Sequence, residues 1–322
     1  DLTYYANKTV DQLLNPRLSY ASGAILKWIN GGDVVNRGLE LQLTATPVKT
    51  KKFTWDVTVN WARNRNEILR MPSDLPFFYN ADTWIGGIRN IATKGGSVFD
   101  LAATRFLRNT AGDVLISPTS GLPVRISDYI KVADRQPDWN MGFVNSFTFL
   151  NDWNVSFNLD IRKGGDIFNG TEWFLYSRGA SVRTLDRETP RVIRGVLQDG
   201  LENTANPTRN TIVLTPFERS EFYTLGVAEE DFIERDINWI RMRDITVSYR
   251  LPSKLIKRQN VIKSASVFFT GTDLFIITNY RGADPAANAN NAASRGGIGG
   301  VGMDFGNLAT PMGLNFGIRA QF

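Results

Sequence analysis

Hydrophobic and polar side chains alternate along the last ten residues of the chain, Gly313–Phe322. One face carries Leu314, Phe316, Ile318, Ala320 and Phe322, and the other carries Asn315, Arg319 and Gln321. A period of two predicts a β-strand. No stretch approaches the roughly 18 apolar residues of a membrane-spanning helix. The alternation, repeated along the chain, therefore predicts an all-β, transmembrane, antiparallel barrel with lipid outside and water inside.

Two hairpins and four further strands follow the same pattern. The hairpins join 38–46 to 53–61 and 142–149 to 153–162, and the other strands are 2–9, 238–251, 264–276 and 313–322. A change of phase within 238–251 predicts a β-bulge near Arg243. Asn145 interrupts an otherwise apolar face.

The polar positions predicted to face the lumen are Glu40, Gln42, Asp56, Asn60, Asn158, Asp160 and Arg162. In the alternative interpretation, these side chains line a solvated barrel wall and bind no substrate.

The connections between these strands alternate in length. Short turns lie at 47–52, 150–152 and 252–263, and long connections lie at 10–32, 65–137, 166–235 and 277–312. Outer-membrane barrels have short periplasmic turns and long extracellular loops. The pattern predicts about eight spanning strands with a periplasmic carboxy-terminus, and a side hairpin around Asn109–Asp113. The eight strands either close as a small barrel or end a larger one, and the long loops favour the larger barrel.

Composition excludes several classes of chemistry. The chain has no Cys and no His, so disulfides, thiolate or imidazole metal sites and Ser-His-Asp catalysis within the chain are excluded. The net charge of +5 comes from scattered Lys and Arg, which gives nucleic-acid binding little support. We predict no enzymatic activity and no cofactor. Asp1 is not a natural start, so we interpret the chain as a mature piece or fragment of a longer protein.

Five segments carry a resemblance to a known family. They are 36–40 (NRGLE), 55–66 (WDVTVNWARNRN), 239–252 (WIRMRDITVSYRLP), 266–285 (SVFFTGTDLFIITNYRGADP) and 313–322 (GLNFGIRAQF). In this order they resemble segments of the SusC/RagA-type TonB-dependent outer-membrane transporters, and they are distributed over almost the whole chain.

The resemblance implies the carboxy-terminal part of a barrel of about twenty-two strands with a plugged lumen. Residues 1–322 would form this portion, without the plug domain and the TonB-contact region. An amino-terminal barrel and plug segment would supply the rest. The family implies the outer membrane of a Gram-negative cell, a SusD-like lid lipoprotein and energy from TonB–ExbB–ExbD. The expected cargo is an oligosaccharide or a peptide. The alternative is a structural or assembly subunit without active transport.

Aromatic side chains in two long connections are candidates for contact with substrate or lid. They are Phe77, Phe78, Tyr79 and Trp84 in one connection and Trp173 and Tyr176 in another. Aromatic faces stack on sugar rings and supply rigid contact area. Packing within the loops is the alternative, which the apolar neighbours of the first group favour. Phe322 would be the signal for the barrel-assembly machinery and an outward, lipid-facing side chain.

Overall fold

A computed structural model describes residues 1–16, 20–24, 26–79, 87–216, 227–256, 261–286 and 300–322. Its strands are β1 (Leu2–Leu14), β2 (Ile29–Lys49), β3 (Phe53–Arg70), β4 (Phe77–Phe78), β5 (Ile88–Asn90), β6 (Ala92–Thr93), β7 (Asp100–Phe106), β8 (Leu115–Ile116), β9 (Arg125–Asp134), β10 (Trp139–Phe149), β11 (Trp153–Lys163), β12 (Ile167–Asn169), β13 (Arg191–Val192), β14 (Val196–Leu197), β15 (Val213–Leu214), β16 (Ile233–Glu234), β17 (Trp239–Arg250), β18 (Ser264–Thr272), β19 (Ile276–Thr278), β20 (Met303–Asp304) and β21 (Gly313–Gln321). The helices are α1 (Gly170–Ser177), α2 (Ser253–Ile256) and the 3-10 turns Tyr20–Ser22, Val182–Thr184 and Glu229–Phe232. Within the described ranges, no helix has the length and apolar content needed to cross a membrane.

One large antiparallel sheet organises the molecule. Its strands lie in the order β1-β2-β3-β10-β11-β17-β18-β21, and β19 pairs with β17. We call these strands the wall sheet. Over the residues described, β1 pairs only with β2 and β21 only with β18, so the sheet is open at both edges. The predicted all-β fold, with about eight long strands forming part of a larger barrel, is confirmed.

The register gives the wall sheet two chemically different faces. One row across it runs Trp55, Phe147, Val155, Val247, Phe269 and Phe316. Neighbouring rings stack along this face, with centroids 5.9 Å apart for Trp55 and Phe147 and 6.0 Å for Phe147 and Phe157. The opposite face carries polar side chains such as Gln42 and Asn60, which are cross-strand partners. Side chains alternate between faces in any strand, so the sequence pattern directly becomes an apolar outer face and a polar inner face.

Several strands run further than predicted. β1 continues to Leu14 and β3 to Arg70, so the connections predicted at 10–32 and 65–137 start too early. The reason is that backbone pairing persists after the apolar alternation stops, as in the pair Asn36 and Asn66. The strand predicted at 264–276 is also divided, because it ends at Thr272 and Asp273 adopts a φ of 48° before β19.

Two local predictions are settled by the pairing. Asn158 pairs with Asp244 and Leu159 with Met242, which leaves Arg243 as the extra residue of a β-bulge. The bulge predicted near Arg243 is confirmed. The side hairpin is also present, because Arg108 bridges Val114 and the Asn109 amide donates to the Asp113 carbonyl at 3.0 Å.

Asn145 has a specific partner on the apolar face. Its Oδ1 accepts a hydrogen bond from the indole Nε1 of Trp55 at 3.0 Å, and the residue is only 1% exposed. A tryptophan N–H buried in an apolar surface needs an acceptor. Asn145, the polar exception in the sequence pattern, therefore provides the hydrogen-bond acceptor for the indole N–H of Trp55 on the neighbouring strand.

The long connections fold together rather than forming separate loops. We call their described residues within 71–138, 164–238 and 279–312 the loop cap. Its hydrophobic core combines side chains from all three connections: Ile88, Leu101, Ala103, Ala133, Phe168, Tyr176, Val227, Phe232, Ile233 and Met303. A smaller cluster, Val34, Ile68 and Ala92, joins the cap to the ends of β2 and β3. The cap is therefore a packed body at one end of the wall sheet.

Candidate functional site

The inner face of the wall sheet carries a ladder of polar side chains. Gln42 donates through Nε2 to Asn60 Oδ1 at 3.0 Å, and Thr46 donates through Oγ1 to Asp56 Oδ1 at 2.7 Å. Glu40, Gln42, Asn60 and Asp160 line a groove of about 440 Å³ on this part of the sheet. The structure thus brings four of the predicted lumen residues into one polar surface.

The other three predicted lumen residues have different surroundings. Asp56 lies lower on the same strand as Asn60, and Asn158 is the partner of Asp244 next to the bulge. Arg162 reaches into the cap, where its Nη2 donates to the Arg135 carbonyl at 2.8 Å and its guanidinium lies 4.8 Å from the Trp239 ring centroid. Arg162 therefore joins wall and cap.

A network of ion pairs crosses the upper inner face. Arg243 donates through Nε to Asp160 Oδ2 at 3.0 Å. The Arg241 side chain, which is 3% exposed, bonds Asp284 and lies 3.4 Å from Asp273. Asp284 also accepts from the Ala286 amide at 2.9 Å and from the Thr310 hydroxyl at 2.9 Å. The network ties both ends of the last connection to β17.

Burial within the cap shifts the pKa of several groups, and two of them, Arg135 and Tyr280, connect cap segments. The Arg135 side chain is buried and donates through Nε to the Phe99 carbonyl at 2.8 Å. Burial lowers the pKa of Arg135 to about 10, so the group remains charged at neutral pH. Burial and the hydrogen bond to Asp304, 2.7 Å long, raise the pKa of the Tyr280 hydroxyl. Both groups hold cap segments together, and neither is poised for proton transfer at neutral pH.

The first aromatic group divides between a core and a surface. Phe78 packs on the cluster that joins cap and wall, whereas Phe77 is exposed and lies 5.4 Å from Tyr79 between ring centroids. The Arg89 guanidinium lies 5.0 Å from the Tyr79 ring and 4.3 Å from the Tyr129 ring. The result is an aromatic surface with a cation held between two rings. Trp84 lies outside the described residues.

The second aromatic group is mainly part of the cap core. Tyr176 is buried in the core and packs on Phe232 at 5.4 Å, and Trp173 packs against the same cluster. Asn169 begins α1 by accepting a hydrogen bond from the Glu172 amide at 2.9 Å, which sets the direction of the helix. The exposed apolar side chains in this part of the cap are Phe174, Leu175, Val182, Leu185 and Phe305.

Sequence reasoning missed Arg89, Tyr129 and Arg241 as members of these sites. An arginine at an inward position of a strand was the available signal for Arg241, but its partner Asp284 is 43 residues away.

Phe322 is exposed at the end of β21, and its role as an assembly signal stays a prediction. In the described part of the chain, no group of three or more His, Cys, Asp or Glu residues is arranged to hold a metal ion.

The chain is similar to bacterial TonB-dependent receptors. It is 25% identical to TonB-dependent receptor P3 of Formosa agariphila over 99% of this chain and 32% of that protein. It is 23% identical to TonB-dependent receptor SusC of Bacteroides thetaiotaomicron over 80% of this chain and 24% of that protein. No protein-family model matches the chain.

Solved structures show the same fold. The RagAB peptide transporter matches with a TM-score of 0.67 at 19% identity, over 100% of this chain and 33% of the matched chain. The RagAB peptide importer in the "open-open" state matches with a TM-score of 0.63 at 17% identity. Sequence and fold together confirm the resemblance to SusC/RagA-type TonB-dependent transporters.

The match covers nearly all of this SusC/RagA-like chain but only about a third of the length of TonB-dependent receptor P3 and of the matched RagAB chain. The shared part comprises the wall sheet and the loop cap, since the structural match covers all of the chain. Arg241 and Asp284 lie in two of the segments that carried the sequence resemblance, 239–252 and 266–285.

Proposed function

We propose that the chain forms part of the barrel wall of a SusC-like, TonB-dependent importer in the outer membrane. The two-faced register of the wall sheet is the observation that carries this proposal, because a sheet with an apolar outer face and a polar inner face suits a lipid-embedded, water-filled barrel. The open edges at β1 and β21 fit a sheet that continues into further strands of the same barrel.

The expected cargo is an oligosaccharide or a peptide, and the expected partner is a SusD-like lid lipoprotein. The similarity to SusC and to the RagAB peptide transporter supports these assignments. The surface of Phe77, Tyr79, Arg89 and Tyr129 would contact cargo through ring stacking and the bound guanidinium. The exposed apolar side chains around Phe174 and Leu185 would meet the lid. If the cap contacts cargo and lid at the outer surface, the cap is extracellular and the carboxy-terminus is periplasmic.

Uptake by cells that carry the complete natural polypeptide tests the proposal. We expect growth on one class of oligosaccharide or peptide to require both this gene and TonB. We also expect a lipoprotein to copurify in detergent. Tyr79→Ala should reduce uptake at low cargo concentration by roughly 5- to 10-fold, because loss of one stacked ring costs about 1 kcal/mol or more. Leu201→Ala, at an exposed apolar residue elsewhere in the cap, is the control.

Two outcomes would contradict the proposal. If the purified protein behaves as a soluble monomer without heat-modifiable migration, the barrel assignment fails. If it resides in the outer membrane but its deletion changes no nutrient uptake, the structural or assembly alternative replaces transport.

A further inference from the structure

Three arginines cluster on the outer face of β2 and β3, where the apolar band ends. Arg37 and Arg65 are direct cross-strand partners, and Arg63 is the partner of Leu39. Arg63 and Arg65 lie two and four residues after Trp61, so all three share the face of that tryptophan. We call Arg37, Arg63 and Arg65 the arginine cluster.

The arginine cluster is not neutralised by the protein alone. Like charges directly opposite each other across two strands are destabilising. Arg65 bonds Asp138 and donates to the Pro137 carbonyl at 2.9 Å. Among the residues that the structure describes, the ion-pair contact of Arg37 is with Glu67 at 3.5 Å, and both side chains are about half exposed. Arg63 is exposed, and within the described ranges no hydrogen bond or ion pair engages its side chain. The exposed guanidiniums of Arg37 and Arg63 are therefore available to an external anion.

An apolar surface continues directly below these guanidiniums. Leu2, Leu41 and Trp61 form one row across β1, β2 and β3, and Tyr4, Leu39 and Arg63 form the next row. Leu2 and Tyr4 are 73% and 67% exposed. Tyrosine and tryptophan between an apolar surface and cationic side chains mark the level where lipid headgroups meet acyl chains.

We infer that Arg37 and Arg63 bind the phosphorylated headgroup of an outer-leaflet lipid, whose acyl chains lie on the row of Leu2, Leu41 and Trp61. A planar guanidinium matches a phosphate group in bidentate geometry. The continuous apolar row selects a lipid over a free phosphate ion, because it gives the ligand a second, hydrophobic contact. The inference rests on the proposed function, since it requires the cap end of the wall sheet to lie at the outer surface.

The test uses the complete natural polypeptide in detergent, with the double variant Arg37→Gln/Arg63→Gln. The matched control is Arg191→Gln/Arg209→Gln, which removes two exposed cap arginines. Each protein is exchanged into vesicles that contain bisphosphorylated lipid A or its dephosphorylated form, and bound lipid is counted by native mass spectrometry. We expect roughly a 30-fold weaker retention of the phosphorylated lipid in the double variant, from about 1 kcal/mol for each arginine near an anionic surface.

The control should retain as much lipid as the wild type, and the dephosphorylated lipid should bind all three proteins equally weakly. Equal retention of the phosphorylated lipid by wild type and double variant overturns the inference. Complete displacement by millimolar inorganic phosphate also overturns it, because the site would then recognise a free anion. Nutrient uptake and heat-modifiable migration of the same variants separate the two proposals. If both persist while retention is unchanged, only the lipid inference fails; if wild type shows neither, the proposed function fails.

Discussion

The wall sheet and the loop cap are stabilised in different ways. Among the described residues, the largest core cluster has ten members, which all belong to the cap and not to the long strands of the wall sheet. The wall instead exposes large apolar side chains such as Phe316 and Ile318 on its edge strand β21. An isolated sheet of this kind buries too little apolar surface to offset its ordering entropy. The cap buries its own hydrophobic core, whereas the wall, in the proposed barrel, would depend on lipid and on further strands.

The largest effect on stability should follow from removing a large buried side chain from the cap core. Phe232 is 1% exposed and packs on Tyr176, so Phe232→Ala should destabilise the cap by about 3–5 kcal/mol. Hydrogen exchange of the protein in detergent should show faster exchange of cap amides, while β10 and β11 stay protected. Phe305→Ala, at a 40% exposed ring, is the control and should change cap stability much less. Equal loss of protection in the wall strands would show that cap and wall unfold as one unit.

A buried carboxylate should give the next largest effect. Glu229 accepts hydrogen bonds from the Gly87 amide at 2.9 Å and from Arg125 Nη2 at 3.1 Å, and it also bonds Thr104. Hydrogen bonds to charged groups contribute about 1.5–3 kcal/mol, so Glu229→Gln should lower cap stability by about 2–3 kcal/mol. Exchange of the Gly87 amide reports the change. Glu188→Gln, at an exposed carboxylate, is the control. An unchanged exchange rate of the Gly87 amide would contradict the prediction, because it would mean that the Glu229 carboxylate does not stabilise the segment around Gly87.

The contact between the two regions can be weakened at Asp284. Burial alone raises the pKa of Asp284, but hydrogen bonds from Ala286, Thr310 and Arg241 outweigh burial and hold it below the ordinary value of 3.8. Because the folded-state pKa is depressed, this stabilisation is present well above pH 3.8 and is lost as the pH falls below it. Asp284→Asn should cost about 1–2 kcal/mol at neutral pH and remove that acid sensitivity.

Exchange of the Ala286 and Thr310 amides as a function of pH measures the contribution of Asp284. The control is Asp74→Asn, at an exposed aspartate in another connection. If the acid sensitivity of these amides persists in Asp284→Asn, another group ties the last connection to the wall.

The difference between the regions also explains what the sequence can predict. Each wall strand contributes many residues to one face, so a period of two is visible in segments such as 153–162. The cap core draws one or two side chains from each short segment, for example Phe168 from a three-residue strand. No periodicity can develop over that length. Tyr176 was therefore a candidate for binding from sequence, although the structure places it in the cap core.

Strand ends and long-range pairs escape the sequence pattern for related reasons. From Arg63 to Arg70 most residues of β3 are polar, so neither face is marked, yet the backbone stays paired with β2. The pairing of Arg241 with Asp284 depends on a chain reversal through β18 and β19 that single-sequence patterns do not encode. The placement of Gln42 and Asn60 together on the polar face followed from alternation alone, because it needs only the strand and its apolar face.

The smallest effect, and the one that examines the wall itself, concerns Trp55 and Asn145. Their hydrogen bond of 3.0 Å lies on the apolar face of the sheet, which would meet lipid and no water in the proposed membrane setting. Hydrogen bonds between membrane-spanning segments contribute about 0.6 kcal/mol on average, so the coupling between Trp55→Phe and Asn145→Ala should be about 0.6 kcal/mol. A double-mutant cycle of unfolding in lipid vesicles measures it. The same cycle with Gln42→Ala and Asn60→Ala, a pair on the wet inner face, should give a coupling near zero. Equal couplings for the two pairs would mean that both faces of the sheet meet water, and the membrane placement of the wall would be wrong.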